Sequence, residues 1–97
     1  MLVALERFDL RIPGCGSLKE KRHVVKTLTN AIRSRFNASV AEVDHHDLWQ
    51  RTTLAVAVAA GEGHQARRVL HEVEKLVERW GEVELIDGET TLYYPEA

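Results

Sequence analysis

Four stretches of this sequence carry residue types that do chemistry in proteins. The first is Gly14-Cys15-Gly16-Ser17-Leu18-Lys19-Glu20-Lys21-Arg22. A glycine-bearing loop that feeds a helix start exposes backbone N–H groups. The helix dipole adds positive potential, so small anions fit there. Lys19, Lys21 and Arg22 supply cations beside Ser17. The G-x-x-x-x-G-K-[ST] pattern of a nucleotide loop is absent. The plainer alternative is a capping box, Ser17 to Glu20, in which the Ser17 hydroxyl accepts the Glu20 N–H and the Glu20 carboxylate accepts the Ser17 N–H. Lys21 falls on the apolar stripe of the helix, where its stem can cover the core edge while its ammonium points at the loop.

The second stretch is Asp44-His45-His46-Asp47. Both residue types ligate metals, but neighbours along a strand point to opposite faces and cannot all converge on one ion. The run reads as a polar hairpin tip, and no metal is expected. The third is Cys15, a thiol near a helix start and several cations, which are surroundings that lower a thiol pKa. A catalytic cysteine needs a histidine base within reach, and His23 lies over a turn further along, toward solvent. Cys15 therefore reads as a small residue in a tight loop. The fourth is the set Lys19, Lys26, Arg22 and Arg33, which gathers on one helix flank. Such a row suits RNA phosphates, which require charge but no base reading; the alternative is a solvated flank. No nucleophile–base pair or carboxylate pair stands out, so neither an enzymatic activity nor a cofactor is expected.

The elements that position these residues follow from hydrophobic periodicity. Leu2 to Ile12 alternates, with Ala4, Phe8, Leu10 and Ile12 on one side and Val3, Leu5, Arg7, Asp9 and Arg11 on the other, as in a half-buried strand. Pro13 and Gly14 end it. A helix follows to about Arg35, with Leu18, Val25, Leu28, Ile32 and Phe36 as its stripe, flanked by Val24 and Ala31; Asn37 closes it with a left-handed residue. Ser39 to about His45 and Trp49 to Ala60 make a hairpin. A second helix spans about His64 to Trp80 and stops at Gly81. Val83 to Tyr94 is the last strand, with Asp87-Gly88 as a turn or bend inside it.

The order β-α-β-β-α-β specifies an α+β, ferredoxin-like sandwich, two helices packed on one face of a four-stranded antiparallel sheet, in a single domain over residues 1–97. The other face then carries Arg7, Asp9, Arg11, Arg51, Thr53, Ala55 and Ala57, joined by Glu42 and Asp44. It has no aromatics from the central strands, which removes the base stacking that RNA-recognition modules of this fold use. Its mixed charges and small residues suit a homodimer in which Arg7 or Arg11 meets Glu42 or Asp44 of a second copy. Pairing of the same charges within one sheet is the alternative.

Three runs, Ser17-Leu18-Lys19-Glu20-Lys21-Arg22, Phe36-Asn37-Ala38-Ser39-Val40-Ala41-Glu42-Val43 and Asp47-Leu48-Trp49-Gln50-Arg51, together resemble the YlxP-like family of small bacterial proteins. The resemblance covers nearly the whole chain. It implies a ferredoxin-like α/β sandwich of unknown function and brings no catalytic residues. Genes of that family often lie among those for transcription and translation factors, an association that points toward RNA or ribosomes.

Composition sets the outer bounds. Residues 1–36 hold eight Lys/Arg against three Asp/Glu (+5), and residues 37–97 hold five against twelve (−7), so a net charge of −2 conceals two electrically distinct halves. The acidic total argues against tight autonomous binding to nucleic acid. No apolar run approaches the ~20 residues of a membrane span, and the start lacks the basic leader of a signal peptide. A lone cysteine gives no disulfide, so the cytoplasm is expected. Arg and Glu exceed Lys and Asp, and Asn, Gln and Met are scarce, a bias toward heat stability. The expected role is a non-enzymatic accessory or binding protein contacting RNA or ribosomes through the basic helix flank. The alternatives are a small-anion-binding regulatory module and a purely structural homodimerisation domain.

Overall fold

The architecture grows from the alternation of β1 (Leu2–Arg11), which buries Leu2, Ala4, Phe8 and Leu10 on its helix side in the computed structural model, a structure that describes residues 1–95. The final two positions of the expected domain, Glu96 and Ala97, lie outside the described residues. After β1 come α1 (Leu18–Arg35), β2 (Ser39–Asp44), β3 (Arg51–Ala60), α2 (Gly63–Glu78) and β4 (Glu84–Tyr93). The sheet order is β2-β3-β1-β4 with every neighbouring pair antiparallel. This is the ferredoxin-like sandwich that the order of periodic segments implied. α1 lies over β2, and α2 lies over β1, β3 and β4. Phe8, Leu10, Leu28, Ile32, Leu54, Val56, Val73 and Val77 form the fully buried centre.

Several boundaries differ from the sequence expectation for identifiable reasons. α1 is not closed by a left-handed Asn37. Phe36 is already extended (φ −131°) and donates its N–H to the Ile32 carbonyl, and the only non-glycine with positive φ among the described residues is His45. The stripe of α1 is rotated as well: Lys21, Val24, Leu28, Thr29 and Ile32 are its buried residues, whereas Leu18 and Val25 are only half-buried. α2 ends before Gly81, with Arg79 in a right-handed conformation and Trp80 N–H bonding the Val77 carbonyl. Asp87-Gly88 is not a hairpin turn, because β4 runs through it. The register slips between Asp9 and Leu10, leaving Ile86 as an extra residue in a β-bulge. A second slip, between Glu42 and Asp44, bends β2 just before the hairpin tip.

Candidate functional site

The basic row is set by α1, whose start is fixed by Ser17: its Oγ accepts the Glu20 N–H at 3.1 Å, and the Glu20 carboxylate accepts the Gly16 N–H at 2.8 Å. The return bond of the capping box therefore reaches Gly16, one residue earlier than expected. Lys19, Arg22 and Lys26 are exposed, and none takes part in an ion pair among the described residues. Arg33 continues the row but is partly committed, since its Nη2 donates to the Val40 carbonyl at 2.6 Å and so ties α1 to the edge strand β2.

Lys21 does not belong to that row, and its ammonium does not point at the Gly14 loop. It is 1 % exposed. Its Nζ lies 2.8 Å from Glu42 Oε2 and donates to the carbonyls of His45 at 2.6 Å and His46 at 3.3 Å. Thr52 Oγ1 donates to the same Glu42 oxygen at 2.6 Å. Burial pushes the Glu42 carboxyl up, but the bonds from Lys21 and Thr52 and the nearby positive charge outweigh it and hold it below its ordinary value. Lys21 is thus a structural lysine that fastens the β2–β3 tip to the first turn of α1. The anion site loses its central cation, and the Gly16 and Glu20 amides nearest it already have partners.

The same geometry removes Glu42 from the open sheet face. Glu42 stands opposite the buried Leu54, on the helix side, because it shares the parity of the buried Val40. Asp44 comes after the bulge, stands opposite Thr53, and accepts the His45 N–H at 2.7 Å. On the open face, Arg7 lies 3.2 Å from Asp9 and 3.0 Å from Asp87, Arg11 lies 2.6 Å from Glu84, and Thr53 donates to Asp9 at 2.8 Å. The arginines reserved for a second copy are thus paired within one sheet. Among the described residues Arg51 has no acidic partner there, and its Nε is buried without a hydrogen bond.

An open cleft of ≈ 640 Å³ lies beneath the β1–α1 loop, lined among others by Cys15, Lys19, Glu20, His23 and Glu82. His23 is exposed, as expected, and lines this open cleft together with Cys15. Cys15 is 6 % exposed, and its thiol donates to the Ser17 carbonyl at 3.4 Å, a contact local to the loop. No group of three His, Cys, Asp or Glu residues among the described residues is placed to hold a metal. The Asp44–Asp47 run instead organises the tip, with His46 Nε2 against the Glu42 carbonyl at 3.2 Å. Among the described residues, no helix is long and apolar enough to cross a membrane.

Two features escaped the sequence reading. Glu6 shares the core-facing side of β1, is 6 % exposed, accepts from Thr90 Oγ1, and has its pKa raised by burial. Its position between Ala4 and Phe8 was the available signal. Leu48 and Trp49 are each 49 % exposed at the tip, and their place in a short polar connection between strands was the signal there.

The sequence matches the model of a protein family of unknown function, DUF503, over residues 3–90. It is 35 % identical over 83 residues to the uncharacterized protein YlxP of Bacillus subtilis (strain 168), an alignment covering 86 % of this chain and 90 % of that protein. Among solved structures, the de novo designed protein Foldit4 superposes with a TM-score of 0.56 at 8 % identity, covering 99 % of this chain and all of that one. A de novo design with a ferredoxin fold gives 0.49 at 15 % identity, covering 95 % of this chain and 83 % of the design. These structural likenesses concern the fold alone.

Proposed function

We propose that this chain, which belongs to the DUF503 family of proteins of unknown function, is a non-enzymatic cytoplasmic binding protein that contacts RNA phosphates through the α1 flank. The observation that carries the reading is the row Lys19, Arg22 and Lys26: three exposed cations without ion-pair partners among the described residues, extended by Arg33, on a helix whose Lys21 is consumed inside the fold. Contacts of this kind position a protein on RNA without reading sequence. The acidic remainder of the chain keeps such binding weak and local. The test is cosedimentation with ribosomes at about 50 mM salt. The native chain should associate, and the variant carrying Lys19→Glu, Arg22→Glu and Lys26→Glu should not. An absence of association by the native chain at low salt overturns the reading.

A second reading, homodimerisation, is favoured by the end of the open face away from the paired arginines. Val3, Leu5 and Tyr93 are 37 %, 42 % and 65 % exposed there. Val3 stands between Ala59 and Tyr93, and Leu5 stands opposite Ala57. This apolar end replaces the charge pairing expected from sequence as the contact between copies. Sedimentation at about 50 μM should show a dimer that Leu5→Glu dissociates, and a monomeric native chain excludes it.

A further inference from the structure

The three sequence runs that carry the family resemblance converge at one end of the molecule. Lys21 of the first bonds Glu42 of the second and the backbone just before the third. Gln50 Nε2 donates to the Cys15 carbonyl at 3.2 Å, and its own carbonyl accepts the Ile12 N–H at 2.9 Å. His45 is held at φ +63°, a conformation that costs a non-glycine residue free energy, and the Leu48 N–H closes the turn onto the His45 carbonyl at 3.1 Å. A buried lysine, a left-handed histidine and a glutamine clamp thus fix a tip whose outward side chains, Leu48 and Trp49, are apolar. With Asp47, Gln50 and Arg51 they line a shallow groove of ≈ 360 Å³.

Starting from the reading that α1 contacts RNA phosphates, we infer that Trp49 is a stacking platform for an unpaired RNA base, with Leu48 as the floor beside it. Two observations select this occupant. The tip is fastened by Lys21 to the same first turns of α1 that carry Lys19, Arg22 and Lys26. Arg51, which forms no ion pair among the described residues, lines the groove and adds a further cation. Aromatic faces flanked by cations hold single strands by base stacking and phosphate attraction together, with little sequence preference. The central strands place no aromatic on the open face, since Phe8 of β1 is buried on the helix side; the hairpin tip supplies stacking at a different place in the fold.

The test uses the full chain carrying Trp80→Phe, in which Trp49 is the only indole of the two in the sequence. Single-stranded oligouridine should quench its fluorescence, and an RNA duplex should not. By fluorescence anisotropy of the labelled strand, Trp49→Ala should bind about 5- to 150-fold more weakly, while Trp49→Phe stays close to native. Unchanged affinity in Trp49→Ala together with no quenching, while binding still depends on the α1 cations, overturns the stacking platform and leaves the phosphate contact standing. No RNA binding by the native chain overturns both. If Trp49→Ala keeps its RNA affinity but loses cosedimentation with ribosomes, the tip contacts protein and the inference falls.

Discussion

Replacing Lys21 with methionine isolates what the buried ion pair contributes. Methionine keeps most of the stem volume on the α1 stripe but removes the ammonium that meets Glu42 and two tip carbonyls. Glu42 is left half-buried with Thr52 as its remaining side-chain donor. Breaking a buried pair by removing one partner costs ~3–5 kcal/mol. The Glu42 side chain is 20 % exposed, so water partly solvates it, and the lower end of that range applies. A loss of about 3 kcal/mol corresponds to a fall in Tm of about 12–24 °C for a domain of this size. Urea unfolding of the native and Lys21→Met chains measures the difference. Adding Glu42→Leu should recover a large part of it, because an apolar pair of similar volume replaces a buried ion pair at little cost. The pH dependence has a defined sign. The folded pKa of Glu42 is lowered, so its contribution is present above the ordinary glutamate value and is lost as pH falls through the lowered one. The gap between native and Lys21→Met should therefore narrow in acid. A loss below about 1 kcal/mol at neutral pH, or a gap independent of pH, would refute the structural role of this lysine.

Other consequences follow from particular side chains. Glu6→Gln should stabilise the fold at neutral pH: the raised folded pKa means that stability present below the ordinary glutamate value is lost as pH rises through the raised one, and glutamine cannot ionise. Urea midpoints of the two chains should converge in acid and separate toward neutrality. His45→Gly relieves a left-handed backbone and keeps the backbone carbonyl that Lys21 uses; unfolding free energy should stay within ~1 kcal/mol of native. His45→Val at the same site should lose more than His45→Gly, since a β-branched residue resists positive φ. Arg11→Ala, which breaks an exposed pair with Glu84, should change stability by less than ~1 kcal/mol in the same assay.

The fold was legible because hydrophobic periodicity follows the backbone period directly. Phe8, Leu10, Leu54 and Val56 had to share one sheet face, and Val73 and Val77 one helix face. What escaped the sequence depended on partners distant along the chain. Lys21 on an apolar stripe suggested snorkelling toward the nearest loop, yet its partner is Glu42, on the strand that follows α1 and adjacent to the first turn only in space. Glu42 was placed on the open face together with Asp44, but it shares the parity of the buried Val40, and the bulge that follows it left no clear mark in the sequence. The basic row was visible from spacing alone, because i, i+3 and i+7 positions share a helix side whatever the tertiary packing. That its three leading cations form no ion pair among the described residues was not visible, because it depends on where the carboxylates of the fold end up.

The central claim, phosphate contact by Lys19, Arg22 and Lys26, is tested most directly by the salt dependence of single-stranded RNA affinity. Three phosphate contacts give a slope of log K against log salt of about −2, which is about 20-fold weaker binding between about 50 and 200 mM salt. The native chain should show that slope, and the triple Glu variant should show no measurable binding at the lowest salt. Equal slopes in the two chains, or no binding by the native chain at about 50 mM salt, would contradict the account.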